Sequence, residues 1–355
     1  MGSTSRRVVI LMAAGAATLV ALPAQAAFAC ANSVTVAVDG SGDYTTVQAA
    51  VDAVPSGNTE PFIINIKPGV YQGQVKVPSD KPYVAFRGKG RHASDVVITD
   101  NRANGTLKPD GTTWGTSGSA SVTISGNDFS AKNLTFANDF DEAAHPEIAN
   151  KQAVAVLTLA DRLTFENVRF LANQDTLYLN SANATTIGRV YLRDCYVEGD
   201  VDFIFGRATA VFEHATIHSL DKGSTTNNGY VTAASTMIDN PYGFLFIHSR
   251  LTSNAPDKSV YLGRPWHPSG NVNAIGQVVF RDSWIGPHIL DAPWSDMSGF
   301  SWKDARFFEY RNHGPGATVT ADRPQLTDEQ AALYTPKLYL AGTDGWAPFD
   351  HAPGR

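Results

Sequence analysis

The chain has 355 residues, of which 43% are hydrophobic and 17% are charged, and it contains two cysteines. This composition supports a large folded core and excludes an intrinsically disordered or disulfide-dense protein. The formal net charge of −6 argues against the basic surface with which proteins bind nucleic acids or anionic membranes, so neither partner is expected.

The segment 1–29 has the features of an export signal. Arg6 and Arg7 precede the apolar stretch VVILMAAGAATLVAL, which is followed by a small-residue cleavage sequence of the A-x-A type at 24–26. This pattern predicts a secretory signal over 1–29, exported by the Sec or the twin-arginine route, and a secreted domain over 30–355. No later apolar run reaches the roughly 18–20 residues needed to span a bilayer.

The two cysteines leave several outcomes open. In an oxidising compartment Cys30 and Cys195 could form a disulfide, whereas signal cleavage could remove Cys30 from any partner. A lipid anchor on Cys30 is a third outcome. The strand-like surroundings of Cys195 favour a small buried thiol.

Helices are expected only near the two ends of the domain. The segment YTTVQAAVDAVP places four apolar residues on one helical face, namely Val47, Ala50, Val51 and Val54. Such a helix would cover the N-terminal edge of a strand stack. Near the other end, Thr327 and Gln330 have the spacing of a capping box and predict a second short helix.

The central part of the chain predicts strands. A short phrase of alternating apolar residues around one polar residue recurs there, and the polar positions are Asn133, Asn167, Asp194, His214, His248 and Asp282. Strands repeated at this loose period are typical of coils stacked into a parallel β-helix, and a propeller or a sandwich is the alternative. In a stack of this kind, an insertion such as the Gly- and Thr-rich segment 101–121 is expected to form the wall of a groove.

Two acidic residues stand directly against strand-like apolar runs, Asp175 in NQDTLYL and Asp202 in GDVDFIFG. The separation of Gln152 from Gln174 and the separation of Asp175 from Asp202 each suit one coil of a stack. The four residues are therefore expected to converge on one patch. Two adjacent carboxylates divide into an acid and a base or nucleophile, and amide N–H groups stabilise an oxyanion, a combination that suits acyl transfer.

The segment YLGRPWHP adds a cation and an aromatic ring beside a proline. Pro265 restricts Arg264 to an extended backbone, so Arg264 could pair with a carboxylate while Trp266 stacks on a substrate. An ordinary surface ion pair with a half-buried tryptophan is the alternative interpretation. The chain lacks G-x-S-x-G, H-E-x-x-H and C-x-x-C, which removes the commonest other hydrolase and metal motifs.

Taken together, these segments resemble the pectin methylesterases, secreted carbohydrate esterases with a right-handed parallel β-helix. The similarity extends from DGSGDYTTVQAAVDAVP through QDTLY, VDFIFG and LGRPW to YLAGTDGWAPF, in that order. The resemblance implies an all-β, single-domain solenoid with short terminal capping helices. Gly73 departs from the family pattern, in which an acidic residue usually follows G-x-Y-x, and we interpret that position as structural.

The resemblance also implies roles for individual residues. Asp202 would be the nucleophile, Asp175 the acid and then base, and Arg264 the residue that holds Asp202. The remaining implied residues are the oxyanion donors Gln152 and Gln174 and the aromatic groove residues Tyr178, Phe205 and Trp266. The implied substrate is methyl-esterified pectin, whose C6 methyl esters would be hydrolysed without a metal or an organic cofactor. Since a capped solenoid needs no partner chain, we expect a monomer.

Three other functions fit the same fold. A polysaccharide lyase or a glycosidase would shorten the polymer, whereas an esterase releases methanol and leaves its length unchanged. A member of the family could also act on another ester. A carbohydrate-binding β-helix would use the groove aromatics alone, and it would have no use for the carboxylate pair.

Overall fold

The computed structural model describes residues 1–2 and 32–351, and the side chains of 350–351 are not described. Apart from residues 1–2, the predicted export signal lies outside the described residues, and so does Cys30. The chain separates into two units, 1–31 and 32–355, and the second unit carries the fold described here. Within the described residues, no helix is long and apolar enough to cross a membrane.

The domain is a right-handed parallel β-helix, as predicted. Its strands are β1 Ser33–Val36, β2 Phe62–Ile66, β3 Gly69–Gln72, β4 Val75–Val77, β5 Val84–Gly88, β6 Val96–Asp100, β7 Val122–Ile124, β8 Ser130–Asn138, β9 Val156–Thr158, β10 Leu163–Leu171, β11 Leu177–Leu179, β12 Arg189–Arg193, β13 Tyr196–Gly199, β14 Val201–Gly206, β15 Thr209–Glu213, β16 Thr216–Ser219, β17 Gly229–Ala234, β18 Phe244–Ile247, β19 Arg250–Ser253, β20 Val260–Gly263, β21 Gln277–Arg281, β22 Trp284–Ile285 and β23 Arg306–Tyr310. The helices are α1 Val47–Asp52, α2 Gly115–Gly118, α3 Asp328–Ala331 and α4 Pro336–Ala341, and short 3₁₀ turns occupy Ala93–Asp95, Pro268–Gly270, Trp302–Asp304 and Pro348–His351.

The strands form two parallel sheets. A seven-stranded sheet runs β20-β17-β14-β11-β9-β7-β4, and a 16-stranded sheet contains two runs of strands that meet at β8 and β10. Each coil adds one strand to each run, so residues separated by a whole coil become neighbours along the stack. This geometry brings the chemistry-bearing residues of the sequence together.

One corner of the coils is built from the recurring polar residues. Their φ angles lie between 49° and 57°, a left-handed conformation that Asn, Asp and His adopt more readily than most residues, and the residues are Asn133, Asn167, Asp194, His214, His248 and Asp282. The Asn133 side chain donates to the carbonyls of Gly88 (3.3 Å) and Gly90 (2.8 Å), and Asn167 donates to Asn133 (2.8 Å). The polar residue of each phrase is therefore the point at which the chain turns from one sheet run to the next.

Aromatic side chains stack inside the coils. Phe212, Phe246 and Phe280 are fully buried, and neighbouring rings lie 4.4 Å apart at interplanar angles of 13° and 11°. Their even spacing in the sequence places each ring above the same position of the preceding coil. Burying such rings supplies much of the hydrophobic stabilisation of the stack.

The helices differ in part from the sequence expectation. Helix α1 packs against β1, β2 and β4 with the expected residues buried, and Thr46 caps its first turn. Thr327 and Gln330 form the predicted capping box of α3. Helix α4, however, packs against β12 and β15 in the middle of the stack, because Tyr339 and Leu340 belong to an apolar cluster on the outward face of that sheet. Helix α2, within the insertion 101–121, was not predicted.

Two further expectations concern single residues. Cys195 is buried, as predicted, and burial raises the pKa of its thiol to about 12. Gly73 connects β3 to β4 with a φ of 116°, a conformation that side-chain-bearing residues rarely adopt. The glycine therefore suits the local backbone, in agreement with a structural interpretation of this position.

Candidate active site

A cavity of about 580 Å³ lies over the seven-stranded sheet, and all eight residues singled out from the sequence line it. They are Gln152, Gln174, Asp175, Tyr178, Asp202, Phe205, Arg264 and Trp266. Residues that are widely separated along the chain therefore share one pocket. The cavity volume falls within the range of ordinary ligand sites.

The stacking register explains how the two carboxylates meet. Leu177 pairs with Ile204 between β11 and β14, and the same offset between the two coils aligns Asp175 with Asp202. The amide of Asp175 donates to the carbonyl of Val201 (3.1 Å), which ties the two coils together directly at the site. Both aspartates have left-handed φ angles, 67° for Asp175 and 52° for Asp202.

The stacking of neighbouring coils also brings Gln152 and Gln174 together. The amide of Ala153 donates to the carbonyl of Gln174 (3.1 Å), so Gln152 and Gln174 lie on adjacent coils. Both side chains are half-buried at the cavity. Among the described residues the buried Oε1 of Gln152 has no hydrogen-bond partner, which is uncommon for a buried polar atom. The side-chain amide of Gln152 thus has a hydrogen-bonding atom at the cavity that the described residues do not use.

Arg264 makes a bidentate ion pair with Asp202. Its Nε and Nη2 donate to the two carboxylate oxygens at 2.8 and 2.7 Å. The planar guanidinium matches the carboxylate in this arrangement, which fixes the orientation of Asp202 as well as its charge. The guanidinium carbon also lies 3.8 Å from the centroid of the Tyr230 ring, so a cation–π contact with Tyr230 helps to position it.

The two carboxyl groups have different proton affinities. Burial, and after it the nearby charge of Asp202, raises the pKa of Asp175 well above its ordinary value. Burial also raises the pKa of Asp202, but hydrogen bonding and charge from Arg264 oppose that effect. The pair therefore favours a protonated Asp175 beside an ionised Asp202.

Aromatic rings form one wall of the cavity. Tyr178 and Phe205 stack with centroids 4.1 Å apart, and Trp266 meets both rings edge-on at 5.9 and 5.6 Å. Trp266 remains half-buried, so part of its ring faces the cavity. Flat apolar walls of this kind suit the apolar face of a sugar ring.

The structure adds residues that the sequence did not single out. Trp114 and helix α2 line the cavity from the insertion 101–121, as expected of an insertion that walls a groove, and Met297 lines it from a late loop. Tyr230 supports Arg264 from β17. The sequence could have indicated that Tyr230 lies near the site. Tyr230 lies one coil after Val201, the residue before Asp202, and pairs with Val201 in register.

The site combines a carboxyl that favours the protonated form, a carboxylate that favours the ionised form, side-chain amides and an aromatic wall. These are the components of an enzyme that transfers acyl groups through a carboxylate nucleophile. The sequence model of the family described as Pectinesterase matches residues 33–343, and this chain belongs to that family. The protein is thus a carboxylic ester hydrolase.

Several known proteins are similar to this chain. Pectinesterase A of Dickeya dadantii (strain 3937) is 39% identical over 338 residues, which cover 86% of this chain and 88% of that protein. The structure of a pectin methylesterase from Erwinia chrysanthemi superposes with a TM-score of 0.80 at 37% identity, covering 88% of this chain and 97% of that one. A pectin methylesterase mutant in complex with a hexasaccharide gives a TM-score of 0.80 at 38% identity, with coverage of 88% and 97%.

Proposed function

We propose that this protein hydrolyses the C6 methyl esters of polygalacturonan in pectin, releasing methanol and leaving free carboxylates on the polymer. The observation that carries the proposal is the asymmetry of the carboxylate pair. Arg264 binds Asp202 with two hydrogen bonds, whereas the pKa of Asp175 is raised well above its ordinary value by burial and by Asp202. One carboxylate is thereby suited to attack, and the other is suited to proton transfer.

In the first half of the proposed reaction, a carboxylate oxygen of Asp202 attacks the ester carbonyl carbon. The side-chain amides of Gln152 and Gln174 donate hydrogen bonds to the oxyanion that develops on the carbonyl oxygen. As the bond to the methoxy oxygen breaks, Asp175 transfers its proton to that oxygen and methanol leaves. The product is an acyl-enzyme in which Asp202 is joined to the C6 acyl group through an anhydride.

In the second half, the ionised Asp175 takes a proton from water as the water oxygen attacks the acyl carbon. The anhydride bond breaks, Asp202 returns as a carboxylate, and the new galacturonate carboxyl group is released. Asp175 ends the cycle protonated, so both groups are restored and no external proton source is consumed within the site. Arg264 keeps Asp202 ionised before the attack, orients it while it carries the acyl group, and pairs with its carboxylate again when the anhydride bond breaks.

The aromatic wall supports a carbohydrate substrate. Trp266, Tyr178 and Phe205 provide flat apolar surface next to the carboxylates, which suits a sugar ring whose ester has to reach Asp202. A related pectin methylesterase has been captured with a hexasaccharide, which is consistent with an extended saccharide in a cavity of this kind. The proposal includes export by residues 1–29 and action as a monomer on extracellular pectin.

The experiment is methanol release from highly methylated pectin, with polymer length followed in the same samples. We expect methanol from the wild type at constant polymer length, and none above background from Asp202→Asn, a change that keeps the side-chain shape and suits the left-handed backbone. Asp194→Asn is the matched control, because Asp194 is also left-handed (φ 53°) but lies on the remote corner. Shortening of the polymer would instead indicate a lyase or a glycosidase, and full activity in Asp202→Asn would eliminate the nucleophile assignment.

A further inference from the structure

The corner of left-handed residues carries two histidines on consecutive coils. Glu213 pairs with Ile247 in the register of β15 and β18, so the following residues, His214 and His248, occupy successive rungs. The amide of His214 donates to the carbonyl of Ile247 (3.2 Å), which fixes this alignment through the backbone. The active-site proposal makes no use of either histidine.

The side chains at this corner converge. The imidazole rings of His214 and His248 lie 5.4 Å apart at an angle of 21°. One ligand atom from each ring and one from Glu213 all lie within 4.8 Å of one another. The two histidines are exposed, so solvent reaches the cluster. Glu213 is half-buried, so its carboxylate is partly shielded from solvent.

Glu213 is positioned by a neighbouring hydroxyl. Tyr191, on the preceding coil, donates a hydrogen bond to Oε2 of Glu213. Outer hydrogen bonds of this kind orient the carboxylates that bind metal ions. The flanking corner residues are also acidic, although Asp194 lies 3.4 Å from Arg193 and Asp282 lies 2.8 Å from Arg281, so part of their charge is neutralised.

We propose that Glu213, His214 and His248 form a binding site for one divalent transition-metal ion, of which zinc is the representative. Two imidazole nitrogens and one carboxylate oxygen match the ligand preferences of zinc, nickel and copper, whereas calcium and magnesium prefer oxygen ligands. Zinc–nitrogen bonds of about 2.0–2.1 Å require the donors to lie about 3.3 Å apart. Because both rings are exposed, we expect their rotation to close this distance, and solvent would complete the coordination.

The bound ion would join two consecutive coils and so stabilise the stack. The folded state alone presents these donors together, because His214 and His248 are far apart along the chain. At free zinc one hundred times the dissociation constant, the folding equilibrium shifts by about one hundredfold towards the folded state. The site lies at a corner of the 16-stranded sheet and is independent of the proposed esterase activity.

The test is calorimetric titration of tag-free, EDTA-treated protein with zinc chloride, and with calcium chloride as the control ion. We expect one saturable zinc site per chain and no saturable calcium binding at this cluster. His214→Asn and His248→Asn should each weaken zinc binding at least tenfold, and Asn is compatible with the left-handed corner because Asn133 and Asn167 occupy equivalent positions. His92→Asn, at an exposed histidine elsewhere, should leave the affinity unchanged.

Copper provides a direct readout of the ligands. The electron paramagnetic resonance spectrum of one equivalent of Cu²⁺ should show coupling to two imidazole nitrogens in the wild type and to one in His248→Asn. Glu213→Gln should keep both nitrogens but lower the affinity. The proposal is overturned if the wild type shows no saturable zinc binding, or if zinc affinity and the copper spectrum are the same in the wild type and in both histidine variants.

Discussion

Arg264 forms hydrogen bonds with one member of the buried carboxylate pair, Asp202, at 2.8 and 2.7 Å. Among the hydrogen bonds of the described residues, none joins Arg264 to Asp175. Because Arg264 pairs with Asp202 alone, Asp202 favours the ionised form and Asp175 favours the protonated form. Changing the cation should therefore alter the pH dependence as well as the rate.

Arg264→Lys should lower kcat by roughly 10- to 100-fold, because a lysine cannot reproduce the two parallel hydrogen bonds to Asp202 and charged hydrogen bonds are worth about 1.5–3 kcal/mol. Loss of the paired donors raises the pKa of Asp202, so the nucleophile ionises only at higher pH. The acidic limb of the pH–rate profile should shift towards higher pH. Arg311→Lys, at an exposed ion pair with Asp328, is the control. An unchanged acidic limb in Arg264→Lys would contradict the assignment.

Asp175→Asn should reduce kcat by about 10²–10⁴-fold, the usual contribution of a positioned proton donor. Asparagine keeps the shape of the side chain and tolerates the φ of 67°, so the fold should be retained. An activated aryl ester whose leaving group needs no proton should recover much of the lost first-step rate, visible as a burst in rapid mixing. Equal losses for methyl and aryl esters would assign Asp175 a positioning role instead.

Gln174→Ala should reduce kcat by about 10²–10³-fold with a small effect on KM, as expected on removal of one oxyanion donor. Because the interaction forms mainly in the transition state, ground-state binding of the polymer should change little. Steady-state kinetics on methylated pectin measure the two parameters separately. A rise in KM with unchanged kcat would show that Gln174 binds the substrate rather than the oxyanion.

The strand repeat was sufficient to predict the β-helix and the convergence of Gln152, Gln174, Asp175 and Asp202, because stacking turns an offset of one coil into spatial proximity. The other four cavity residues came from elsewhere: Arg264 and Trp266 from the YLGRPWHP segment, and Tyr178 and Phe205 from the family resemblance alone. Asp175 and Asp202 are separated by one coil and align in register, so their meeting follows from the period alone. The support of Arg264 by Tyr230 was not predicted, since it depends on which side chain of β17 turns towards the guanidinium.

The position of helix α4 was missed for the same reason, long-range packing. The position of α4 against β12 and β15 depends on the outward face of those strands, which alternation alone does not distinguish from a solvated face.

The alternation of apolar residues also fails to show the left-handed corner, because a single residue with positive φ leaves the apolar pattern on either side almost intact. The recurrence of Asn, Asp and His at one position was the available signal, since these residues favour that conformation.

Phe246→Ala should destabilise the domain by about 3–5 kcal/mol, the usual cost of emptying a buried aromatic site. Phe246 lies between Phe212 and Phe280 in the interior stack, at 4.4 Å from each, so its removal leaves a cavity between two coils. Urea unfolding followed by tryptophan fluorescence measures the change in midpoint. Val319→Ala, at a valine with 64% exposure, should have a small effect on the same measurement. Equal midpoints for the two variants would refute this account of the core.

Tyr230→Leu should lower kcat by roughly 2- to 30-fold, because it removes a cation–π contact with Arg264 that is worth about 0.5–2 kcal/mol. The ring centroid of Tyr230 lies 3.8 Å from the guanidinium carbon, and Arg264 in turn orients Asp202. Tyr230→Phe keeps the ring and loses only the hydroxyl, which accepts a hydrogen bond from Asn227 (3.0 Å), so its kcat should stay near that of the wild type. In Tyr230→Leu the acidic limb of the pH–rate profile should move in the same direction as in Arg264→Lys, because both changes loosen the hold on Asp202. If Tyr230→Phe and Tyr230→Leu lose activity equally, the hydroxyl rather than the ring is the functional group, and the support of Arg264 by the ring face is wrong.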